Sequence, residues 1–396
     1  MATLPETVDG KGAEQKAPPG PGGLRPAGLT LLQPVVAGVC SPNQEEKPAA
    51  WITGSTDTEA GAVPGISTVL ARADFLGHVR CRTSAYRNTY TVRPGVYAVG
   101  DPDRSSDVLV SANYKLSFDH LRRELGGLNL WILVIDTRGI NVWCAAGKGT
   151  FGSDELIRRI ALTRLEKIVD HRRLIVPQLA APGVNGNRVR KATGFSVLFG
   201  PVYARDLPAY LRAGRVATPG MRTVRFPLID RLILTPMEIN PSLKKYPWFA
   251  LLTLVIFGLQ PSGIIFRDAW NGGLPFLLLG LVSVFSGALL TPVLLPFIPF
   301  RPFALKGWIA GIAATVLCTQ TVPMLDPQGT ILRLVAYLLF PMASSYIALQ
   351  FTGSTTFTGM SGVRKELRIA IPVYVLSGVV SLLLLLIYKL GEWRLL

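Results

Sequence analysis

One cysteine lies in a segment whose residue types could support metal chemistry. Cys144 stands in Asn141-Val-Trp-Cys-Ala-Ala-Gly-Lys148, four residues before a lysine. If this segment is a helical turn, Lys148 lies one turn beyond the thiol, and its positive charge favours the thiolate that binds soft metals. No histidine is nearby, so a metal held by Cys144 must bring its other ligands, as the metal of a macrocycle does. The alternative is a buried structural cysteine.

The glycines that follow Cys144 allow a second interpretation. Gly147-Lys-Gly-Thr-Phe-Gly152 matches the G-x-G-x-x-G pattern of dinucleotide-binding loops, and Asp170 stands near the place of a ribose-binding acid. Such a loop follows its strand by a tight turn, whereas here the preceding apolar run already ends at Asp136. The residues in between also have the features of a helical turn, with Asn141 as N-cap and Gly147 as its end. A P-loop matches less well, because neither Ser nor Thr follows the lysine.

Apolar runs of strand length alternate with amphipathic segments between residues 61 and 240. The predicted strands are Val108–Val110, Leu130–Ile135, Leu174–Val176 and Phe195–Phe199, and the predicted helices are Leu116–Leu125 and Ser153–Val169. The second helix has Ser153 as N-cap, Asp154 and Glu155 in its first turn, and an apolar face of Ile157, Ile160, Ala161, Leu165 and Ile168. This alternation predicts an α/β, Rossmann-like domain with a parallel, doubly wound sheet. Ligands bind at the carboxyl ends of such strands, which is where Asp136–Gly152 would lie.

The charge and the cysteine content exclude several classes of protein. The net charge is +16, but no run of five basic residues occurs, so the sequence predicts no nucleic-acid-binding arm. The four cysteines (Cys40, Cys81, Cys144 and Cys318) form no CxxC pair, so neither a disulfide framework nor an iron–sulfur cluster is expected. Residues 1–60 are rich in Pro, Gly, Glu and Ala and are predicted to be a disordered tail without a signal peptide.

Long uncharged runs predict an all-α transmembrane domain at residues 241–396. Five spans are expected, at residues 247–266, 274–300, 307–325, 334–351 and 369–388. Basic residues concentrate in alternate loops, which predicts a cytoplasmic domain at 61–240 and a C terminus outside the cytoplasmic membrane. No charged residue lies at the centre of a span, which weakens a transporter interpretation. The polar loop Thr352–Val363 is either a plain linker or a ligand-binding segment.

The octapeptide Asn141–Lys148 resembles the signature of the membrane corrinoid proteins of microbial mercury methylation, the HgcA family. The resemblance extends to Val108–Phe118, Leu133–Gly152 and Thr352–Val363, and to a corrinoid domain joined to five spans. That family is similar to the corrinoid subunit of the acetyl-CoA pathway. The resemblance implies that Asn141–Lys148 is a cap helix below a cobalt corrinoid, with Cys144 as lower axial ligand in place of the nucleotide base. Asp119-His120 lacks the D-x-H-x-x-G spacing by which other corrinoid proteins supply histidine.

By this resemblance the protein is a corrinoid-dependent methyltransferase that moves a methyl group from cobalt to Hg(II), giving methylmercury. The implied partners are a ferredoxin-like iron–sulfur protein (HgcB), as electron donor and mercury carrier, and a methyl-donor methyltransferase. The expected cofactor-binding residues are Asn141, Val142, Trp143, Cys144, Ala145, Ala146, Gly147, Lys148, Ser111, Asn113, Tyr114, Thr355, Thr356 and Phe357. Two alternatives stay open: a corrinoid methyl carrier with a non-mercury acceptor, and a membrane protein with a regulatory dinucleotide domain.

Overall fold

A computed structural model describes residues 49–354 and 360–395. An α/β part comes first and a helical part follows it. The strands of the first part are β1 (Ile52–Thr58), β2 (Gly61–Ile66), β3 (Gly95–Val99), β4 (Val108–Ala112), β5 (Leu130–Ile135), β6 (Arg173–Val176) and β7 (Ser196–Phe199). Its helices are α1 (Arg72–Thr83), α2 (Lys115–Arg123), α3 (Val142–Lys148), α4 (Ser153–Thr163), α5 (Gly186–Thr193) and α6 (Leu207–Arg212).

The seven strands form one mixed sheet in the order β1-β2-β3-β5-β4-β6-β7. The strands β5, β4, β6 and β7 run parallel, as predicted, but β3 pairs antiparallel with β5, and β1 pairs antiparallel with β2. The prediction of a wholly parallel sheet is therefore wrong. A parallel return needs a crossover of a dozen residues or more, and only residues 100–107 join β3 to β4, so these two strands run in opposite directions.

The sheet is buried on both faces, which explains the continuous apolar sequence of β5. Trp131, Leu133 and Ile135 pack on the face covered by α3 and α4, while Leu130, Ile132 and Val134 pack on the opposite face with α2. The predicted strands and the helix α2 are confirmed within a few residues. In contrast, β1 lies inside the predicted tail at 1–60, so the ordered sheet begins earlier than expected; residues 1–48 lie outside the described range.

The helix α4 is shorter than predicted. It ends at Thr163 because Arg164 adopts a left-handed conformation (φ 48°), and Leu165–Lys167 form a 3-10 turn. Gly152 rather than Ser153 is the N-cap, and the Ser153 hydroxyl instead accepts a hydrogen bond from Asn185 N at 2.8 Å. The expected core residue Ala161 is exposed, whereas Leu156, which was not predicted, is fully buried.

The helical part comprises α7 (Leu228–Leu234), α8 (Pro236–Gly258), the short hairpin β8 (Leu259–Gln260) and β9 (Gly263–Ile264), α9 (Phe266–Phe285), α10 (Thr291–Val293), α11 (Phe303–Thr321), α12 (Thr330–Gln350) and α13 (Met360–Glu392). A π-helical turn, Ser286–Leu290, joins α9 to α10. In the described chain, four segments are long and apolar enough to cross a membrane: Phe266–Val293, Phe303–Thr321, Thr330–Gln350 and Gly362–Glu392.

The prediction of five spans is not confirmed, and the difference lies in the first one. The predicted span 247–266 coincides with only the second half of α8, because that helix ends at Gly258 and the apolar run continues into the hairpin. Nevertheless α8 runs alongside the other helices. Its start contacts α1 through Asn240 Nδ2 and Thr83 O (2.5 Å), and its end receives a hydrogen bond from Lys389 Nζ to Phe257 O (3.1 Å).

Candidate functional site

The helix α3 holds Cys144 at the carboxyl edge of the sheet. Asn141 is its N-cap, with Oδ1 accepting a hydrogen bond from Cys144 N at 2.9 Å. Ala145 and Ala146 are buried against the sheet, which leaves Cys144 half-buried on the opposite side of the helix. The predicted helical turn is confirmed. Its end is corrected, because the left-handed cap is Gly149 (φ 81°) rather than Gly147.

Asn113 shapes the loop that leads from β5 into α3. Its side-chain oxygen accepts hydrogen bonds from Thr137 N and Gly139 N, both at 3.0 Å, and lies 2.8 Å from Thr137 Oγ1. Its Nδ2 donates to Asp136 Oδ1 at 3.1 Å. Because β4 and β5 are adjacent and parallel, their ends meet, and this is why a residue after β4 can organise the loop after β5. The contacts assign Asn113 to positioning α3.

Replacing Asn113 with alanine is expected to loosen this loop. The buried amides of Thr137 and Gly139 would lose their acceptor, at a cost of about 2 kcal/mol, while the Thr137 hydroxyl keeps Ile140 O as an acceptor. We therefore expect faster amide hydrogen exchange in peptides covering residues 136–148. The matched control is Asn187→Ala, which changes an exposed asparagine on α5. Equal exchange in the two variants would show that Asn113 does not hold the loop.

Gly183 supports α3 from the side of the turn that precedes α5. A methyl group at position 183 would lie 2.2 Å from Phe151 O and 3.1 Å from Ala146 O, so only glycine allows this close approach. Sequence reasoning did not find this residue, since Pro182-Gly183 has the same appearance as any surface turn.

The change Gly183→Ala is expected to displace α3 and destabilise the sheet domain by about 1–3 kcal/mol, because the new methyl group meets backbone atoms that cannot rotate away. Thermal unfolding of the detergent-purified chain measures this. The variant Gly95→Ala is the control, since no atom lies within 4 Å of its added methyl group. A midpoint for Gly183→Ala no lower than that of the control would contradict the packing argument.

The prediction that Lys148 lowers the pKa of the Cys144 thiol below its ordinary value is wrong. Burial raises the pKa of Cys144, and the positive charges of Lys148 and Arg87 and a hydrogen bond with Asn141 reduce this rise without reversing it. Arg87, which lies on the 3-10 turn Ala85–Asn88, was not predicted as a neighbour. Burial therefore favours the neutral thiol, and a bound metal ion would deprotonate it.

The other expected site residues divide into three groups. Tyr114 is the N-cap residue of α2, and burial raises its pKa to about 12, so its phenol stays protonated. The positive charge of Arg87 favours the lower pKa at Tyr114, Cys81 and Cys144 alike. Ser111 is buried in β4, where alternation places it on the face opposite to α3, and no described contact supports a role for it at the site. Thr355, Thr356 and Phe357 lie outside the described residues.

The donor set around Cys144 fits a metal that carries its own ligands. Within residues 49–354 and 360–395, no group of three or more His, Cys, Asp or Glu side chains could hold a metal ion. A half-buried thiol can supply one soft ligand, and a corrinoid supplies the four nitrogens around cobalt. Gly147 and Lys148 are exposed and Trp143 is half-buried, so this surface of α3 can be covered by a planar group.

Asp119 and His120 have structural roles instead. Asp119 is fully buried and lies within hydrogen-bonding distance of His78, Lys115 and Arg122. Burial alone would raise its pKa, but these partners lower it to about 2. Burial lowers the pKa of His120 to about 4, and its ring stacks on His78 with centroids 5.5 Å apart.

The glycine pattern does not form a dinucleotide loop here. The helix α3 separates β5 from Gly149 and Gly152, so no tight turn leads from the strand to the glycines. Asp170 precedes β6, at the amino edge of the sheet, and its carboxylate accepts a hydrogen bond from Arg104 Nε at 2.8 Å and forms a salt bridge with Arg104 Nη2 at 2.7 Å. The acid and the glycines therefore lie at opposite edges.

The sheet domain is similar to known subunits of acetyl-CoA synthase systems. A family model described as CO dehydrogenase/acetyl-CoA synthase delta subunit matches residues 72–211. The acetyl-CoA decarbonylase/synthase complex subunit gamma of Methanopyrus kandleri is 36% identical over 134 residues, 33% of this chain and 29% of that protein. The corresponding subunit of Archaeoglobus fulgidus is 32% identical over 127 residues, 32% and 27%.

A third relative is the corrinoid/iron–sulfur protein large subunit of Moorella thermoacetica, 26% identical over 156 residues, 37% of this chain and 34% of that protein. The chain thus spans about a third or less of the length of these relatives. The matched family region runs from α1 to α6 and includes α3 with Cys144, but none of the helical part. The α/β part of this chain is accordingly similar to a portion of these subunits.

Proposed function

We propose that the protein is a membrane-bound corrinoid-dependent methyltransferase whose methyl acceptor is Hg(II), giving methylmercury. The observation that carries the proposal is Cys144, a half-buried thiol on a short helix at the carboxyl edge of the sheet, in a described chain where no group of three or more His, Cys, Asp or Glu side chains could hold a metal ion. The similarity to a corrinoid/iron–sulfur protein over the same domain supports the proposal of a corrinoid cofactor. The resemblance of the octapeptide Asn141–Lys148 to the mercury-methylation signature supports Hg(II) as the methyl acceptor.

Each residue of α3 has a definite task in this proposal. Cys144 would hold the cobalt of the corrinoid through its sulfur, and Asn141 fixes the start of the helix so that the sulfur keeps its position. Trp143, Gly147 and Lys148 would form the surface that faces the cofactor, whereas Val142 packs against the core of the sheet domain with Ala145 and Ala146. When bound, the corrinoid supplies a methyl group carried on cobalt. The Cys144 thiolate would be a strong donor to cobalt, and Hg(II) is a soft metal that accepts a methyl group readily. Both properties favour transfer of the methyl group to mercury.

The proposal also requires partners. The described residues contain no cysteine cluster that could hold an iron–sulfur centre, so electrons would come from a separate ferredoxin-like protein of the HgcB type, which would also carry mercury. A methyltransferase would supply the methyl group. The basic residues that flank the apolar helices favour the cytoplasmic membrane, with the sheet domain on the cytoplasmic side.

The second candidate is a corrinoid methyl carrier with a non-mercury acceptor, which the acetyl-CoA complex relatives favour. Full-length protein in membranes, supplied with corrinoid, methyl donor and a ferredoxin, separates the two. Hg(II) and a low-molecular-weight thiol are offered together, and both products are measured by mass spectrometry. Methylmercury as the main product supports our proposal. Methylation of the thiol alone would leave the corrinoid function in place and remove the mercury function.

A further inference from the structure

A large cavity lies in the helical part, and its lining includes no residue of α3. It has a volume of about 1310 Å³ and lies among the segment 295–303 and the helices α11, α12 and α13. Most of its lining is apolar, for example Leu295, Phe300, Trp308, Ile369 and Val373. Ile369 is 62% exposed and Val373 is 43% exposed, so the cavity opens sideways on α13, where lipid chains would lie.

Two buried cations line the same cavity without a carboxylate partner. Arg231 is 8% exposed and donates from Nη1 to Pro292 O and Val293 O at 2.9 and 2.8 Å, while its Nε is without a hydrogen bond. Lys306 is 9% exposed and donates to Leu295 O. Within the described chain, neither residue forms an ion pair. Buried charges are normally paired because their desolvation is costly.

The acid beside these cations is already engaged. Glu366 also lines the cavity, but its Oε2 accepts hydrogen bonds from Phe303 N at 2.9 Å and Ala304 N at 3.3 Å, at the start of α11. This carboxylate therefore offsets the positive end of a helix. Two further cations, Arg301 and Lys365, are exposed at the rim. The polar end of the cavity thus has an excess of positive charge.

We propose that this cavity binds an anionic phospholipid. The phosphate would lie among Arg301, Lys365 and the buried cations, and an acyl chain would follow the apolar wall formed by Ile369 and Val373. A free phosphate would neutralise the cations but leave that wall uncovered. A zwitterionic lipid would bring the positive charge of its head group into a region that already has an excess of positive charge. This site is independent of the corrinoid and of the methyl acceptor.

Native mass spectrometry of the full-length, detergent-purified protein tests the proposal. The protein is titrated with phosphatidylglycerol, with phosphatidylcholine of the same acyl chains, and with inorganic phosphate. Phosphatidylglycerol should bind at least about tenfold more tightly than phosphatidylcholine, because the choline group places a further positive charge beside the cations of the cavity. Inorganic phosphate should not displace it. Equal binding of the two lipids, or displacement by phosphate, would overturn the proposal.

Variants at exposed and buried positions separate the loss of a binding cation from a loss of folding. Arg301→Gln with Lys365→Gln removes only exposed cations, and Arg231→Met removes a buried one. Both should weaken phosphatidylglycerol binding about tenfold or more. Arg333→Gln is the control, because Arg333 is an exposed cation paired with Asp326 away from the cavity. Unchanged binding in the exposed double variant, or an equal loss in the control, would also overturn the proposal.

Discussion

Replacing Cys144 with alanine is expected to abolish methyl transfer while the protein stays folded. Methyl transfer should fall by more than about 100-fold, since a direct metal ligand matters at least as much as the groups that orient one. The N-cap of α3 uses the backbone N–H of residue 144, which alanine keeps, and the thiol is only half-buried, so the stability change should be small. The measurement is methylmercury formation by full-length protein in membranes, with thermal unfolding on the same sample.

Two further variants sharpen this test. Cys144→Thr keeps a ligand-sized oxygen but removes the soft donor, so it should be nearly as inactive as alanine. Cys318→Ala changes a partly buried cysteine in α11, far along the chain, and should keep full activity. Full activity of Cys144→Ala would remove the axial-ligand hypothesis. Loss of activity in Cys318→Ala as well would point to a general effect of cysteine replacement.

The largest effect on stability is expected for Arg122→Met. Arg122 is completely buried and donates from Nε to Asp119 Oδ1 and from Nη2 to Asp74 Oδ2, both at 2.7 Å. Its Nη1 also donates to Ser67 O and Val69 O, at 2.6 and 3.0 Å. The guanidinium therefore joins α1, α2 and the segment that follows β2. Removing one partner from a buried ionic network costs about 3–5 kcal/mol, since the carboxylates stay buried with less compensation.

The neighbouring arginine provides the matched control. Arg123 is about half exposed and pairs with Glu124, so Arg123→Met should change stability by less than about 1 kcal/mol. In thermal unfolding of the detergent-purified chain, we expect the midpoint of Arg122→Met to fall by about 10 °C and that of Arg123→Met to stay near the parent value. Similar midpoints for the two variants would show that the buried network does not hold the domain together.

Local sequence patterns predicted the elements that lie in the middle of the sheet. The run Leu130–Ile135 is uninterrupted because both faces of β5 are covered, so its bounds could be predicted correctly. The strand β1 was missed because its sequence, Ile-Thr-Gly-Ser-Thr-Asp-Thr, belongs to a largely exposed edge strand without an apolar pattern. The strand β3 was not predicted either, and its direction depends on pairing with a strand that comes later in the sequence.

In the candidate site, too, the features set by neighbouring residues could be predicted, whereas those set by distant contacts could not. Asn141 as the N-cap and Cys144 on a short helix follow from neighbouring residues, and the structure has both. The loop contacts of Asn113 require the adjacency of β4 and β5, and the close approach at Gly183 requires a turn about forty residues away. The pKa of Cys144 is raised by burial, which cannot be predicted from the spacing of residues along the sequence. The spacing of Cys144 and Lys148 had instead predicted a lowered pKa.

The most direct test of the account is an ultraviolet–visible spectrum of the detergent-purified protein, with cobalt quantified on the same sample. After expression in a host supplied with corrinoid, we expect corrinoid bands and about one cobalt per chain, since one thiol can hold one cobalt. The bands should shift in Cys144→Ala and stay unchanged in Cys318→Ala. A protein without cobalt, or a spectrum that Cys144→Ala does not alter, would contradict the assignment of Cys144 as the ligand of a corrinoid.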